Sequence, residues 1–131
     1  MHHNPNIIAS LQRLRIGHQI MGYRRLENDT AFFSKDLFWW DGINLPFTNI
    51  DEATRFKTKT NRVLFVNDII EVTESSWFGL NHSKKQFRIA NENDSQVLIN
   101  IKDNSYESMD YLNDVLHYSF LSYVFINPDV V

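Results

Sequence analysis

Five histidines are the most versatile chemical groups in this sequence, because an imidazole can bind a metal or transfer a proton near neutral pH. His2 and His3 are adjacent, whereas His18, His82 and His117 stand singly, outside any H-E-x-x-H or His-x-His pattern. A zinc site needs three or four ligands, two of them commonly at a short fixed spacing. The chain has no cysteine to complete such a set. The sequence therefore predicts neither a metal site nor a cofactor.

Common catalytic motifs are missing from the sequence as well. Carboxylates such as Asp41, Asp68 and Glu71 are scattered, whereas paired-carboxylate catalysis needs two acids in environments that separate their pKa values. Ser75 and Ser76 lack the G-x-S-x-G context of a serine nucleophile. The four glycines are too dispersed to form a phosphate-binding loop. These observations favour a protein that is not an enzyme.

Two short aromatic clusters contain all three tryptophans of the chain. Trp39 and Trp40 follow Phe38 directly, and Trp77 precedes Phe78. Neighbouring residues of a strand point to opposite faces, so Trp39 and Trp40 cannot both face the same core. We therefore expect one of these two tryptophans to be exposed and to contact a protein partner, together with Trp77 and Phe78.

A second candidate binding site is the polar stretch after the Trp77 cluster, which the sequence predicts as a loop over residues 81–85. It contains His82, Lys84 and Lys85, and Arg88 follows closely. Their positive charges could bind a phosphate or an anionic lipid headgroup, with an affinity that falls steeply as salt is added. A solvated turn is the simpler interpretation of the same residues.

Net charge and targeting signals restrict the classes of partner. Thirteen Lys and Arg against sixteen Asp and Glu give a net charge of −3, so we expect no nucleic-acid partner. A basic run without acids, residues 55–62, is predicted as a solvated hairpin loop. The amino terminus does not resemble a secretory signal, and no apolar stretch is long enough to span a bilayer. Together with the absence of cysteine, these features favour a cytoplasmic protein.

Apolar residues at steps of three and four predict two amphipathic helices. The first is short and covers residues 5–20. The second runs from Ser105 to about Tyr123, with Asn104 as its cap and Glu107 placed to complete a capping box. Together they begin and end the predicted fold.

Between these helices, short apolar or alternating stretches predict the strands of an antiparallel sheet. The predicted strands cover residues 31–33, 37–40, 43–47, 63–66, 69–72, 87–89 and 97–101. The last two should form a hairpin around residues 91–95, with one face exposed to water. The predicted core residues are Phe33, Phe38, Phe65, Ile70, Ile89, Ile99, Leu112 and Leu116.

The expected fold class is α+β, a bent antiparallel sheet or partly open barrel closed by the carboxy-terminal amphipathic helix. A chain of 131 residues fits one domain over residues 1–131. Within it, residues 1–29 form a helical segment, residues 30–123 form the sheet with its closing helix, and residues 124–131 form a tail.

From about Thr30 to about Tyr118, the order of these elements resembles a pleckstrin-homology superfamily domain of the GRAM or bacterial PH-like kind. The resemblance rests on the hairpin of 31–33 with 37–40, the stretches 45–50 and 65–72, the Trp77-Phe78-Gly79-Leu80 turn, the pair 87–89 and 97–99, and the closing helix. It implies a strongly bent sheet plugged by that helix, used as a binding scaffold for lipid headgroups, peptides or proteins. The loop between its first strands, residues 34–36, carries one cation and one anion, which favours a protein partner.

The sequence thus predicts a non-enzymatic, intracellular binding or regulatory module that recognises a protein partner through an exposed aromatic patch. One alternative is a small barrel or enzyme with an aromatic-lined pocket, in which His82 or His117 supplies a proton. A further alternative is binding of a phosphate or anionic lipid headgroup through Lys84, Lys85 and Arg88. A second copy of the chain is the alternative to a different protein partner.

Overall fold

The computed structural model describes residues 10–75 and 82–130 of the chain. Strands make up 59% of the residues and helices 10%, and the strands form two antiparallel sheets. Within the described ranges, no helix reaches seven residues. The expected antiparallel pairing is therefore confirmed, whereas the α+β class with a closing amphipathic helix is wrong.

The chain divides into two compact units, Met1–Arg55 and Phe56–Val131, which we call the amino-terminal and carboxy-terminal units. The boundary lies inside a strand, because that strand continues to Lys57. The single domain expected over residues 1–131 stays a prediction.

The first sheet has the strand order β3-β2-β1-β4-β5. Its strands are β1 (Leu11–Ile16), β2 (Gln19–Glu27), β3 (Thr30–Ser34), β4 (Asn49–Lys57) and β5 (Val63–Phe65). The predicted strands at 31–33 and 63–66 are confirmed here as β3 and β5. The predicted strands at 37–40 and 43–47 are wrong, because these residues belong to the connection between β3 and β4.

The helix expected over residues 5–20 is wrong from residue 10 onward, and its first residues lie outside the described ranges. The helical spacing treated Arg13 and Arg15 as members of a solvated face, yet both are buried. Asp51 lies opposite Arg13 in the pairing of β1 with β4, and its carboxylate accepts from Arg13 Nε at 2.8 Å and from Arg15 Nε at 2.7 Å. Because a buried charge requires such a partner, the distant Asp51 is what allows this stretch to be a strand.

The second sheet has the order β10-β6-β7-β8-β9. Its strands are β6 (Asp68–Ser75), β7 (His82–Glu92), β8 (Ser95–Asn100), β9 (Tyr106–Ser108) and β10 (His117–Tyr123). The predicted strand at 69–72 and the hairpin around residues 91–95 are confirmed. The loop predicted over 81–85 is wrong from His82 onward, because β7 begins there.

The helix expected from Ser105 to Tyr123 is replaced by β9, a 3-10 helix over Met109–Asn113, and β10. Ser108, and not Asn104, caps the 3-10 helix by accepting from the amide of Asp110. The spacing of Leu112 and Leu116 fits a helix, but Leu116 is 52% exposed. Two further 3-10 helices, Val124–Ile126 and Pro128–Val130, occupy the predicted tail.

The core of the carboxy-terminal unit is formed by apolar side chains of the second sheet, of the 3-10 helix Met109–Asn113, and of β5 with the turn that follows it. Its buried members are Leu64, Val66, Ile70, Val72, Phe87, Ile89, Leu98, Met109 and Leu112. Of the eight core residues expected from the sequence, Phe33, Phe65, Ile70, Ile89, Ile99 and Leu112 are buried. Phe38 and Leu116 are exposed, so these two predictions are wrong.

Candidate functional site

The connection between β3 and β4, residues 35–48, carries an unusual amount of exposed apolar surface, and we call it the aromatic loop. Phe38 is 89% exposed, Trp39 74% and Ile43 71%. These are the three most exposed large hydrophobic side chains of the described residues. We call these three side chains the apolar patch. Solvent-exposed aromatic groups of this size are typical of binding surfaces.

Side-chain hydrogen bonds hold the first half of the aromatic loop in one conformation. Asp36 Oδ1 accepts from the amides of Phe38 at 2.9 Å and of Trp39 at 3.1 Å. Ser34 Oγ accepts from the amide of Leu37 at 2.8 Å, and Leu37 has a positive φ of 73°. Asp and Ser favour such local bonds to the backbone over strand pairing. The aromatic run is consequently a turn and not the expected strand.

The hydrogen bonds to the aromatic loop also affect the ionisation of Asp36. Bonds from the backbone amides of Phe38 and then Trp39 lower the pKa of Asp36 below its usual value of 3.8. The carboxylate is charged at neutral pH, where it accepts the bonds that orient Phe38 and Trp39.

The second half of the aromatic loop is tied to the first sheet. Phe33 and Asp41 exchange two backbone hydrogen bonds of 2.8 and 3.0 Å, which continue the edge of β3 by one bridge. Asp41 Oδ1 accepts from the amide of Ile43 at 2.9 Å. At the end of the loop, the amide of Thr48 donates to the carbonyl of Arg15 at 2.8 Å. The loop is thus held at its start, middle and end.

Leu45 packs the aromatic loop directly against the backbone of β2. A Cβ atom placed at Gly22 would collide with Leu45 Cδ1 and would lie 2.5 Å from the carbonyl oxygen of Ser34. Gly22 also has a φ of +150°, which side-chain-bearing residues rarely adopt. Position 22 therefore requires glycine, because any larger residue would prevent the aromatic loop from approaching β2 this closely.

Two arginines of β2 cover aromatic rings of the same unit. The guanidinium of Arg25 lies 4.8 Å from the ring centre of Trp40 and 5.2 Å from that of Phe32. Arg24 lies 4.9 Å from the ring centre of Phe47. Trp40 is half-buried, whereas Trp39 is exposed. One tryptophan of the pair is thus available at the surface, and its role in binding stays a prediction.

A cavity of about 350 Å³ lies beside the apolar patch. Trp39, Ile43 and Leu45 supply apolar walls, and Lys35, Asp36 and Asp41 supply charged groups. Its volume is at the lower end of the range for small-molecule pockets, roughly 300–1,000 Å³. Trp39 is the one tryptophan among its described lining residues, and no histidine lines it. This arrangement does not favour the alternative of a tryptophan-lined reaction pocket with a catalytic histidine.

The structure does not gather the predicted basic residues into one site. His82, Lys84 and Lys85 are exposed in β7, and Arg88 is half-buried in the same strand. Lys84 and Arg88 share one face of β7, while Lys85 lies on the other. Their role in binding an anion stays a prediction.

Acidic partners further weaken an anion site at these lysines. Lys84 Nζ lies 3.7 Å from Glu71 Oε1, and Lys85 Nζ lies 3.0 Å from Glu74 Oε1. The groove of about 760 Å³ beside them also includes the acids Glu71 and Asp103. A charged ligand of either sign would meet a group of its own sign here.

Trp77 and Phe78, the other half of the predicted partner surface, lie outside the described residues. His117 is half-buried in β10. Phe38 and Ile43 were missed as surface residues, because their apolar character suggested core or strand positions. The signal in the sequence was the pair Asp36 and Asp41, since each precedes an exposed residue by two positions and bonds to its amide.

Within the described residues, no group of three His, Cys, Asp or Glu side chains is placed to hold a metal ion. None of the described helices has the length and apolar character needed to cross a membrane. No family model, curated protein or solved structure matches the chain. The resemblance to a pleckstrin-homology domain therefore stays a prediction, and the function has to be argued from the geometry of the chain itself.

Proposed function

We propose that this chain is a non-enzymatic binding module whose aromatic loop recognises a protein partner. The observation that carries the proposal is the exposure of Phe38, Trp39 and Ile43 on a loop held by hydrogen bonds along its length. The cytoplasmic location expected from the cysteine-free composition belongs to this proposal.

Prior ordering of the loop supports this use. A mobile apolar loop would lose conformational entropy when it docked, which weakens binding. The bonds to Asp36 and the backbone bridge between Phe33 and Asp41 set the conformation of the loop before a partner arrives. Tryptophan is also the side chain most often found at the energetic centre of protein interfaces, which makes Trp39 the natural anchor.

The cavity beside the patch indicates the chemistry of the partner. Its apolar walls at Trp39, Ile43 and Leu45 suit one large aliphatic or aromatic side chain. Its charged groups are two acids, Asp36 and Asp41, and one base, Lys35. This excess of negative charge favours a partner segment in which a Lys or Arg lies next to the apolar residue.

Selection from a displayed library of random peptides tests the proposal. We expect the selected peptides to pair a large apolar residue with a Lys or Arg. Trp39→Ala should weaken their binding by at least about tenfold, because it removes the anchor of the patch. Fluorescence polarisation of a labelled selected peptide measures the affinity. The free energy of unfolding should change by no more than about 0.5 kcal/mol, because Trp39 is a surface residue.

Tyr106→Ala is the matched control, since Tyr106 is an aromatic residue 59% exposed in the other unit. It should leave peptide binding unchanged. Equal binding by Trp39→Ala and the unaltered chain would contradict the proposal, as would selection of peptides that bind elsewhere. If the partner is a second copy of the chain, sedimentation should show a dimer that Trp39→Ala dissociates and Tyr106→Ala does not.

A further inference from the structure

A short basic hairpin connects β4 and β5 in the carboxy-terminal unit, and its shape is fixed by backbone bonds. The amide of Thr58 donates to the carbonyl of Arg62 at 2.9 Å, and the amide of Asn61 donates to the carbonyl of Thr58 at 2.9 Å. Asn61 takes a positive φ of 69°, which asparagine tolerates better than most residues. We call residues 57–62 the basic hairpin.

Contacts with β10 fix the position of the basic hairpin and the orientation of its arginine. The guanidinium of Arg62 lies 3.5 Å from the ring centre of Phe120, and its Nη2 donates to the hydroxyl of Tyr123 at 3.0 Å. The hydroxyl of Tyr118 donates to the carbonyl of Lys57 at 2.8 Å. A guanidinium held against a ring in this way keeps its remaining N–H donors in a fixed plane.

A cavity of about 270 Å³ lies between the basic hairpin and β10. Its lining residues include the basic residues Lys59, Arg62 and His117 and the hydroxyl-bearing residues Thr58, Thr60 and Ser119. No carboxylate is among the described residues that line it. The cavity beside the aromatic loop and the groove beside β7 each include two acids, so this cavity differs from both in charge.

The cations of this cavity are not neutralised by acids in the part of the chain that the structure describes. Lys84 and Lys85 each have a glutamate within 4.0 Å, whereas neither Lys59 nor Arg62 has an acid within that distance among the described residues. A fixed guanidinium, an ammonium group and hydroxyl donors are the groups that bind phosphate oxygens in proteins. Among the described residues, no carboxylate therefore offsets the positive charge of the site.

We propose that the cavity between the basic hairpin and β10 binds the phosphate group of a phosphate monoester. Arg62 supplies the N–H donors that its bond to Tyr123 leaves over, and Lys59 supplies a second charge. The hydroxyls of Thr58 and Thr60 bond each other at 3.0 Å, so one of them, together with Ser119, supplies neutral donors. The cavity is larger than a phosphate group alone, which leaves room for part of the attached alcohol. This site lies in the carboxy-terminal unit, and its test is separate from that of the aromatic loop.

Titration of the full chain with glycerol 3-phosphate, followed through backbone amide resonances at low salt, tests the proposal. We expect saturable shifts confined to residues 58–62 and 117–120, with an affinity that falls as salt is added. Lys59→Ala should weaken binding by roughly tenfold, because one charge-assisted hydrogen bond is lost. Arg62→Lys should also weaken it, because the ammonium cannot reproduce the planar fork.

Lys84→Ala is the matched control, since it removes the same charge from the groove beside β7, and it should leave the affinity unchanged. An unchanged amide spectrum away from the cavity shows that each variant is folded. The proposal would be overturned if Lys59→Ala bound glycerol 3-phosphate as tightly as the unaltered chain. It would also be overturned if the amide resonances around Lys84 shifted as much as those of the cavity, or if acetate at equal ionic strength caused the same shifts.

A second arm separates two sources of the phosphate monoester. Vesicles that contain a phosphatidylinositol monophosphate are compared with vesicles that contain phosphatidylserine at the same charge density. If the chain co-sediments with the phosphatidylinositol monophosphate vesicles alone, and Lys59→Ala abolishes this binding, the proposal is supported and the ligand is a lipid headgroup. Binding of glycerol 3-phosphate without co-sedimentation supports it with a free small molecule. If Lys59→Ala leaves the co-sedimentation unchanged and the chain does not bind glycerol 3-phosphate, the proposal is overturned.

Discussion

Asp36 determines how the exposed aromatic pair is presented, because one of its carboxylate oxygens accepts from the amides of both Phe38 and Trp39. An aspartate two or three residues before an amide forms this bond readily, since its side chain is short and flexible enough to reach the backbone. The apolar patch therefore depends on a polar residue that does not belong to it. This dependence leads to a prediction about pH.

Hydrogen bonding lowers the pKa of Asp36 in the folded chain below 3.8, its usual value. The stabilisation of the loop is therefore complete above pH 3.8 and is lost as the pH falls through the lower, folded-state pKa. We expect the amide resonances of Phe38 and Trp39 to move together in that range.

Asp36→Asn tests this assignment, because an amide oxygen accepts the same bonds without titrating. In this variant the two resonances should not depend on pH in the acidic range. Asp36→Ala should displace them at every pH. Identical titration of Phe38 and Trp39 in Asp36→Asn would show that a different carboxylate controls the loop.

Buried charge explains why the pattern of β1 was misinterpreted. Arg13 and Arg15 occupy positions that a helical interpretation assigns to solvent, and Asp51 of β4 accepts their hydrogen bonds. Arg13 and Arg15 precede Asp51 by 38 and 36 positions in the chain. No local pattern reveals a partner at that distance, so this strand could not be predicted from its own residues.

At the scale of the elements, the aromatic loop can approach β2 because Gly22 has no side chain. Gly22→Ala should lower the free energy of unfolding by about 1–3 kcal/mol or more, because the new methyl group meets Leu45 and the residue must keep an unfavourable φ. Urea denaturation measures this loss. The same variant should weaken peptide binding, because Leu45 and the loop must move away.

Gly42→Ala is the control for this substitution. A Cβ atom at Gly42 has nothing within 4 Å, and its φ lies outside the positive range. Its stability should stay within about 0.5 kcal/mol of the unaltered chain. A similar loss of stability in both variants would mean that the effect at Gly22 does not come from the contact with Leu45.

The carboxy-terminal elements show how spacing alone can mislead. Leu112, Leu116 and Phe120 fit steps of four, yet Tyr118 and Phe120 also alternate with Ser119, and the pairing of β10 shifts register between Phe120 and Ser122. Pairing of β10 with β6 selected the strand, since Phe120 lies opposite Ile70 and both contribute to one core. When two periodicities fit the same residues, the available partner strand determines which forms.

In the second sheet, β6, β7 and β8 each have two neighbouring strands, whereas β9 and β10 lie at the edges. We expect the amides of Ile70, Phe87 and Leu98 to exchange with solvent more slowly than those of β9, because core strands open least often. Hydrogen exchange followed by NMR measures the difference. Residue 107 in β9 provides the comparison, since that whole strand is exposed. Equal protection in β9 and β7 would contradict this organisation of the sheet.

Local alternation predicted the hairpin of β7 and β8, and short apolar runs predicted the strands β3, β5 and β6. Six of the eight expected core residues are buried, although Leu112 among them was assigned to a helix that does not form. In β5 and β6 neighbouring apolar residues on opposite faces are both buried, which a continuous apolar run indicates without knowledge of a distant partner. The expectation that Trp39 or Trp40 is exposed agrees with the structure, although it was argued from a strand that does not form. Local bonds from Ser34 and Asp36 determined the turn that exposes Phe38. Long-range contacts determined the remainder: the strands that replaced both expected helices, and the approach of the basic hairpin to β10. The physical cause of the long-range part is that a buried charge or an apolar face is stable only with a partner, and these partners lie far along the chain.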